Sequence, residues 1–399
     1  MADRICGYPT NFTTVSAGTG GNVRVTYAPW ELDWEFFDAI AIGHWLANTT
    51  TATSDDIVAK GGSEHLGYWF EISTAFPDAN WNTGDRIAPQ RQAAINQHAT
   101  FALAVAAMAV NDVFLIWYRN LRNARTWAAV ITFSNIAGSA WGMPSRQQLH
   151  LLGANVAGEV SFAGNLLAQN VQAIVANLTF QASAGSNHAW VAYSPAAAQE
   201  GQGVWVRRCV GIGSGSAGFY ILRALAGTIK ITNCVGYGAF GNSFSVNIAA
   251  VGLEIYDSIS IYGGINMLFG ANVAGRNLVA EEGTGVDFSG GALCQNCAST
   301  DGTLVVHATN LRNQDARTQL RFFHDMASPG QNKFPTPDGR IFFDSVLKGS
   351  GVALALVPRD ADGRLRPDPP SIGAYEPYAV AYAPAAELIR GASKRGVQT

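Results

Sequence analysis

Five acids in the second half of the chain are placed where they could do chemistry together. Glu281, Glu282 and Asp287 lie in AEEGTGVDF, and Glu254 and Asp257 lie in LEIYDS just before it. A pair of carboxylates on either side of a glycosidic bond hydrolyses it, one as acid and the other as base or nucleophile. The plainer reading is that these are solvent-facing strand and turn acids, and it carries more weight. No catalytic residue is therefore assigned; if the protein is an enzyme, the candidates are Glu254, Glu281, Glu282 and Asp287. Other reactive patterns are sparse. CQNC gives Cys294 and Cys297 a C-x-x-C spacing, but a zinc site needs four ligands and there is no second pair. DADG (360–363) has calcium-loop character, though a lone D-x-D-G is more often a turn. The seven histidines show no ligand spacing, and no phosphate loop or dinucleotide fingerprint is present. No metal or cofactor is indicated.

Whatever positions these residues is repetitive. VWVRRCVGIG (204–213) and IKITNCVGYG (229–238) are one phrase written twice, with Cys209 matching Cys234 and Val206 matching Ile231. LEIYDS continues the series, placing Ile255 after Ile231. VANLTFQAS (175–183) reads as an earlier copy, with Phe180 matching Val206, and RNLVAEEG (276–283) as a later one. Each copy alternates like a strand, and Gly- and Asn-rich stretches separate them without helical periodicity. A short repeat of strands means stacked units. The fold expected is all-β, a right-handed parallel β-helix or solenoid, with successive coils about 4.8 Å apart. Leucine-rich repeats are the competitor, but their denser leucine frame is missing. Val206, Ile231 and Ile255 should stack inside, and Cys209 and Cys234 should form rungs of one internal ladder as small buried hydrophobes. Cys294 and Cys297 are read the same way. The stacking expected here brings Glu254 near position 277.

Open ends of a stack pair with other chains unless covered. The Ala/Gln-rich region 88–110 has helical character and is expected to close one end, with VFLIWY (113–118) opening the first coil. Three parts follow: an N-terminal attachment module (1–87), the β-helix with its N-terminal cap (88–338), and a C-terminal cap and tail (339–399).

Composition fits a neutral, Gly-rich surface. Charged residues make up 14% of the 399 residues and glycine contributes 43, against about 25% charged residues in an ordinary soluble protein. The net charge of −3 gives no bulk attraction to nucleic acid. No apolar run is long enough to span a membrane, and Met1-Ala2-Asp3-Arg4 is followed by no apolar signal core. Charge is uneven: residues 26–85 hold ten acids and one base, Lys60, while Arg119, Arg122, Arg125 and Arg146 form a basic stretch. The acidic region also holds Trp30, Trp34, Trp45, Trp69 and Trp81, five of the ten tryptophans. Tryptophans serve as core or as interface anchors, and with the acidic balance these five are read as an attachment face.

The C-terminal stretch carries a resemblance. Asp360, Gly363, Arg364 or Arg366, then Gly373, Ala374, Tyr375 and Glu376 in SIGAYE, resemble the closing signature of a large family of right-handed parallel β-helix proteins. YAPWE (27–31) resembles the opening of phage-encoded members. The resemblance implies the fold from about 110 to 377. The family includes surface proteins, virion spikes or decorations, and polysaccharide-cleaving enzymes, which use carboxylate pairs or Arg/Lys with acids and often calcium. With no export signal expected, the reading is a phage virion structural protein, made in the host cytoplasm: a capsid decoration, spike or tail-associated β-helix. Its partners would be other virion proteins and copies of itself, as a trimer, with bacterial surface polysaccharide as a further partner. A polysaccharide depolymerase is the alternative and a bacterial surface adhesin the second.

Overall fold

The computed structural model describes residues 2–107 with interruptions at 8, 10–12, 29–31, 33, 64–65 and 100. It further describes the strands and tight turns between 113 and 325, and residues 336–361 and 364–377. Glu282, Trp30 and the basic stretch 119–125 with Arg146 lie outside the described residues, as does the tail beyond 377. Apart from two six-residue helices, Trp34–Ala39 and Phe101–Ala106, one 3-10 turn and a π-turn at 319–320, regular structure among the described residues is strand. The protein is all-β.

Three long parallel sheets organise residues 113–299. The first contains Val113–Trp117, Gly138–Met143, Ala173–Ala176, Val204–Arg207, Ile229–Thr232, Leu253–Tyr256 and Ala274–Arg276. The second runs from Ile131–Ser134 to Val286–Ser289, and the third from Ser161–Ala163 to Ala298–Ser299. Pairing is parallel throughout these runs. From Val204 onward the chain visits the sheets in fixed rotation, so each strand lies beside its counterpart one turn later.

Register follows the repeated phrase where the phrase is clearest. Val204 lies opposite Ile229 and Ile229 opposite Leu253; Val206, Ile231 and Ile255 form one file and are fully buried. Two expected alignments are corrected. Val175, not Phe180, lies opposite Val206, and Phe180 belongs to the third sheet opposite Gly211. Glu254 lies opposite Ala274 rather than near Asn277. Both errors come from loops of unequal length, which change the repeat spacing without disturbing the strands.

The cysteine phrase has a structural cause. Cys209, Cys234 and Cys297 are buried, and each Sγ donates to the carbonyl two residues back: Arg207 O (3.3 Å), Thr232 O (3.3 Å) and Gln295 O (3.2 Å). Ser258 makes the same bond to Tyr256 O at 2.9 Å. A small side chain with one weak donor fits the inside of the turn and satisfies a buried carbonyl there. Cys294 is also buried, against Gly275 of the neighbouring coil: a Cβ on that glycine would lie 2.6 Å from Cys294 Sγ.

The N-terminal region is a six-stranded antiparallel sheet in the order Thr14–Ala17, Asn22–Tyr27, Gly67–Ala75, Thr53–Ser63, Trp45–Asn48, Ile87–Gln90. NVRVTY (22–27) alternates half-buried and buried residues, as a one-sided strand must. The region packs directly against the parallel strands. Asp3–Gly7 adds as a parallel strand to Val113–Trp117, and Gln97–His98 adds beyond it. Ile5 and Leu115 share one apolar core with Val25, Phe36, Phe70 and Trp81. Buried Asp3 accepts from Arg91 N (2.6 Å) and Arg91 Nε (2.9 Å), tying the strand to the end of the antiparallel sheet. Among the described residues of the region expected to be a helical cap (88–110), Phe101–Ala106 is helical, while Ile87–Gln90 and Gln97–His98 are strand.

Candidate functional site

Of the candidate acids, the three that are described lie on three different sheets. Glu254 is on the first sheet, Glu281 on the third and Asp287 on the second. Glu254 is half-buried and pairs with Lys230 on the adjacent coil at 3.5 Å. Glu281 is buried opposite Ile261. Asp287 is buried and holds a turn, accepting from Thr300 N (2.6 Å), Thr300 Oγ1 (2.6 Å) and Asp301 N (3.1 Å). Among the described residues, no group of three His, Cys, Asp or Glu could hold a metal ion.

The tryptophans divide. Trp81 is core. Trp45 and Trp69 are half-buried in the antiparallel sheet; Arg24 lies over the Trp69 ring at 4.3 Å. Trp34 lies in the short helix, and its side chain is outside the described residues, as is Trp30.

What the structure does bring together is a file of turn residues. Arg208, Asn233, Asp257, Asn277 and Asn296 each follow a first-sheet segment, and all have φ between 49° and 54°. That left-handed conformation costs most residues about 1 kcal/mol and costs Asn and Asp least, which is why amides dominate the file. Asn277 Nδ2 reaches Asp257 Oδ1 at 3.0 Å. Asp257 is buried, and burial pushes its carboxyl up to about 6. Arg366 and Asn277 pull the other way, and Glu376 adds to the rise.

Residues 345–361 and 364–377, within the region expected to be the C-terminal cap and tail (339–399), bond to this file. Asn277 exchanges two bonds with Val352, Asn233 Nδ2 donates to Arg359 O at 2.9 Å, and Gly373 N donates to Asn277 O at 2.9 Å. Ile372, Ala374 and Tyr375 cover Val235, Ile259 and Val279 of the third sheet. At Gly373 (φ 102°) any side chain would press within 3.3 Å of Ile259 and Val279.

The residues of the closing motif knot this segment down. Arg366 reaches Asn233 Oδ1 (2.9 Å), Glu376 Oε1 (2.9 Å) and Gly373 O (2.9 Å), and lies 3.5 Å from Asp257. Glu376 accepts from Ser371 N (3.0 Å) and Ser371 Oγ (2.6 Å). Asp360 accepts from Arg364 N (2.8 Å) and Glu376 N (3.0 Å); residues 362–363 of DADG lie outside the described residues.

Between the segment and the stack a cavity of about 310 Å³ remains, bounded by Trp205, Arg207, Arg208, Thr232, Asn233 and residues 355–360. None of the pocket arginines was singled out from sequence. The available signal was the break in the phrase: VWVRRC puts Arg208 where the next copies have Asn233 and Asp257.

No family model and no curated protein matches the chain. Among solved structures the chain is similar to one described as "Crystal structure of pectate lyase Pel9A", at 13% identity, covering 72% of this chain and 92% of that one, with a TM-score of 0.28. A likeness at that score supports no inference about this chain's chemistry.

Proposed function

We propose that residues from about 113 to 320 form a right-handed parallel β-helix and that the protein is a non-catalytic structural component of a phage particle. The observation that carries the reading is the use made of the acids. Glu254, Glu281 and Asp287 are spread over three sheets, while Asp257 pairs with Arg366 of the C-terminal segment and Asp360 and Glu376 hold that segment's own turns. Hydrolysis across one bond needs two carboxyls within about 10 Å facing the same substrate, and this distribution serves a rigid rod instead. The antiparallel N-terminal region shares a core with the first coils, so force or binding at that region reaches the stack directly. Its half-buried Trp45 and Trp69 supply an attachment face, with other virion proteins and further copies of the chain, as a trimer, for partners.

The test is direct. Mass spectrometry of purified particles from the source culture should detect the chain at structural stoichiometry. Trp45→Ala should weaken rebinding to particles stripped of the protein. Absence from purified particles would overturn the assignment. Release of new reducing ends from host polysaccharide would replace it with a depolymerase.

A further inference from the structure

Asp257, Arg366 and Glu376 bring three charges together where the returning segment meets the stack. Their side chains are buried, and one guanidinium faces two carboxyls. The two acids are not equally served. Glu376 accepts from Arg366 Nη1 at 2.9 Å and from Ser371 N and Oγ at 3.0 and 2.6 Å. Arg366 Nη2 is given to Asn233 Oδ1, Gly373 O and Ala374 O at 2.9, 2.9 and 3.1 Å. Asp257 stands 3.5 Å from Arg366 and accepts from Asn277 Nδ2 at 3.0 Å. Among the described residues its buried Oδ2 has no hydrogen-bond partner. A buried carboxylate with so few donors favours taking up a proton.

The cluster sits on a seam. Asp257 belongs to a turn of the stack, and Arg366 and Glu376 to residues 364–377. Across the same seam Gly373 N donates to Asn277 O at 2.9 Å, and Ile372, Ala374 and Tyr375 cover Val235, Ile259 and Val279. The charged groups acting on Asp257 are Arg366, which favours its ionised form, and Glu376, which opposes it. With Asp257 protonated, the seam holds one positive and one negative group. With Asp257 ionised, it holds a net buried negative charge. Lifting residues 364–377 away would return that charge to water.

We propose that residues 364–377 form a pH-responsive strap, closed on the stack while Asp257 is protonated and able to open without the coils once Asp257 ionises. Opening uncovers the apolar face of Val235, Ile259 and Val279. The sign follows from linkage. The Asp257 carboxyl sits at about 6 with the strap closed, against an ordinary 3.8. The closed strap therefore binds the proton more tightly than the open one. Closure is at full strength below about 3.8 and weakens as pH rises through about 6. The proposal stands whether or not the protein belongs to a particle.

The experiment is hydrogen exchange of the full chain, read by mass spectrometry on peptides covering 371–376 and 253–261, with each rate divided by its intrinsic rate at that pH. The first peptide reports the strap and the second the stack. From pH 4 to pH 7 the opening constant of 371–376 should rise roughly 50-fold. At pH 7 it should exceed that of 253–261 by at least about tenfold, since the strap opens while the coils stay paired. In Asp257→Asn the 371–376 peptide should keep its acid-pH protection at pH 7, within about threefold. Equal opening of the two peptides at pH 7 would show that the segment leaves only when the whole stack unfolds, and would overturn the proposal. So would an unchanged pH response in the folded variant. If the variant does not fold, the parent profile decides: a rise of less than about fivefold between pH 4 and pH 7 is fatal to the strap.

Discussion

Asn277 and Val352, 75 residues apart, exchange two hydrogen bonds of 2.8 Å: Asn277 Nδ2 donates to Val352 O, and Val352 N donates to Asn277 Oδ1. The side-chain amide copies what a neighbouring strand would offer. A turn residue thus supplies the edge on which the C-terminal segment docks.

Replacing that amide separates its two duties. Asn277→Ala removes the pair of bonds and the contact to Asp257, and places an ordinary residue at φ 54°. It should cost about 3 kcal/mol. Asn277→Gly relieves the backbone and should recover about 1 kcal/mol of that. Urea unfolding checks both, as shifts in midpoint at constant slope.

Asp257 gives a pH dependence of known sign. Its carboxyl sits at about 6 in the folded protein against an ordinary 3.8. A carboxyl raised on folding stabilises in its protonated form. The contribution is full below about 3.8 and is lost as pH rises through about 6. Asp257→Asn should therefore raise stability at pH 7 by up to about 3 kcal/mol and match the parent near pH 4. His44 and His98 act oppositely. Burial, with nearby Arg91 and Arg4 respectively, holds them below 6.5, so they favour the fold above that value. Unfolding curves must be compared as parent minus variant across pH 4–7; a difference independent of pH would contradict the assignment.

The candidate acids should respond as structural groups. Glu254→Ala loses a pair about one-third exposed on each side and should change stability by no more than about 0.5 kcal/mol. Asp287→Ala orphans three donors around Thr300 and Asp301 and should cost about 3 kcal/mol. Thermal melts rank the two, and neither variant should alter the reducing-end content of host polysaccharide.

The N-terminal strand should protect the stack. Removing residues 1–7 deletes buried Ile5 and Asp3 and uncovers the strand Val113–Trp117. An exposed strand edge recruits other chains, so analytical ultracentrifugation should show higher-mass species and melting should fall. Truncation at residue 85 would lose this strand as well, and for that reason it does not isolate attachment from folding.

The internal file was legible because like residues stack on like. Val206, Ile231 and Ile255 could be aligned by eye, and so could Cys209 and Cys234. Phe180 was misplaced because turn length, not strand pattern, set the spacing there. Glu254 was placed near 277 for the same reason. Asp360, Arg366 and Glu376 were visible as a motif, but their mutual bonds were not, since each reaches a partner brought near by a turn.

Periodicity in the amino-acid sequence determined that strands exist, that they repeat, and which side chains share the interior, because alternation and burial are local properties of the chain. Only the tertiary structure decided that Glu254, Glu281 and Asp287 lie on three different sheets, that Asp3–Gly7 joins the stack, and that residues 345–361 and 364–377 bond to its turns. These are long-range contacts. They depend on how loops close and on which buried donors still need acceptors, and neither is written in the spacing of residues along one strand.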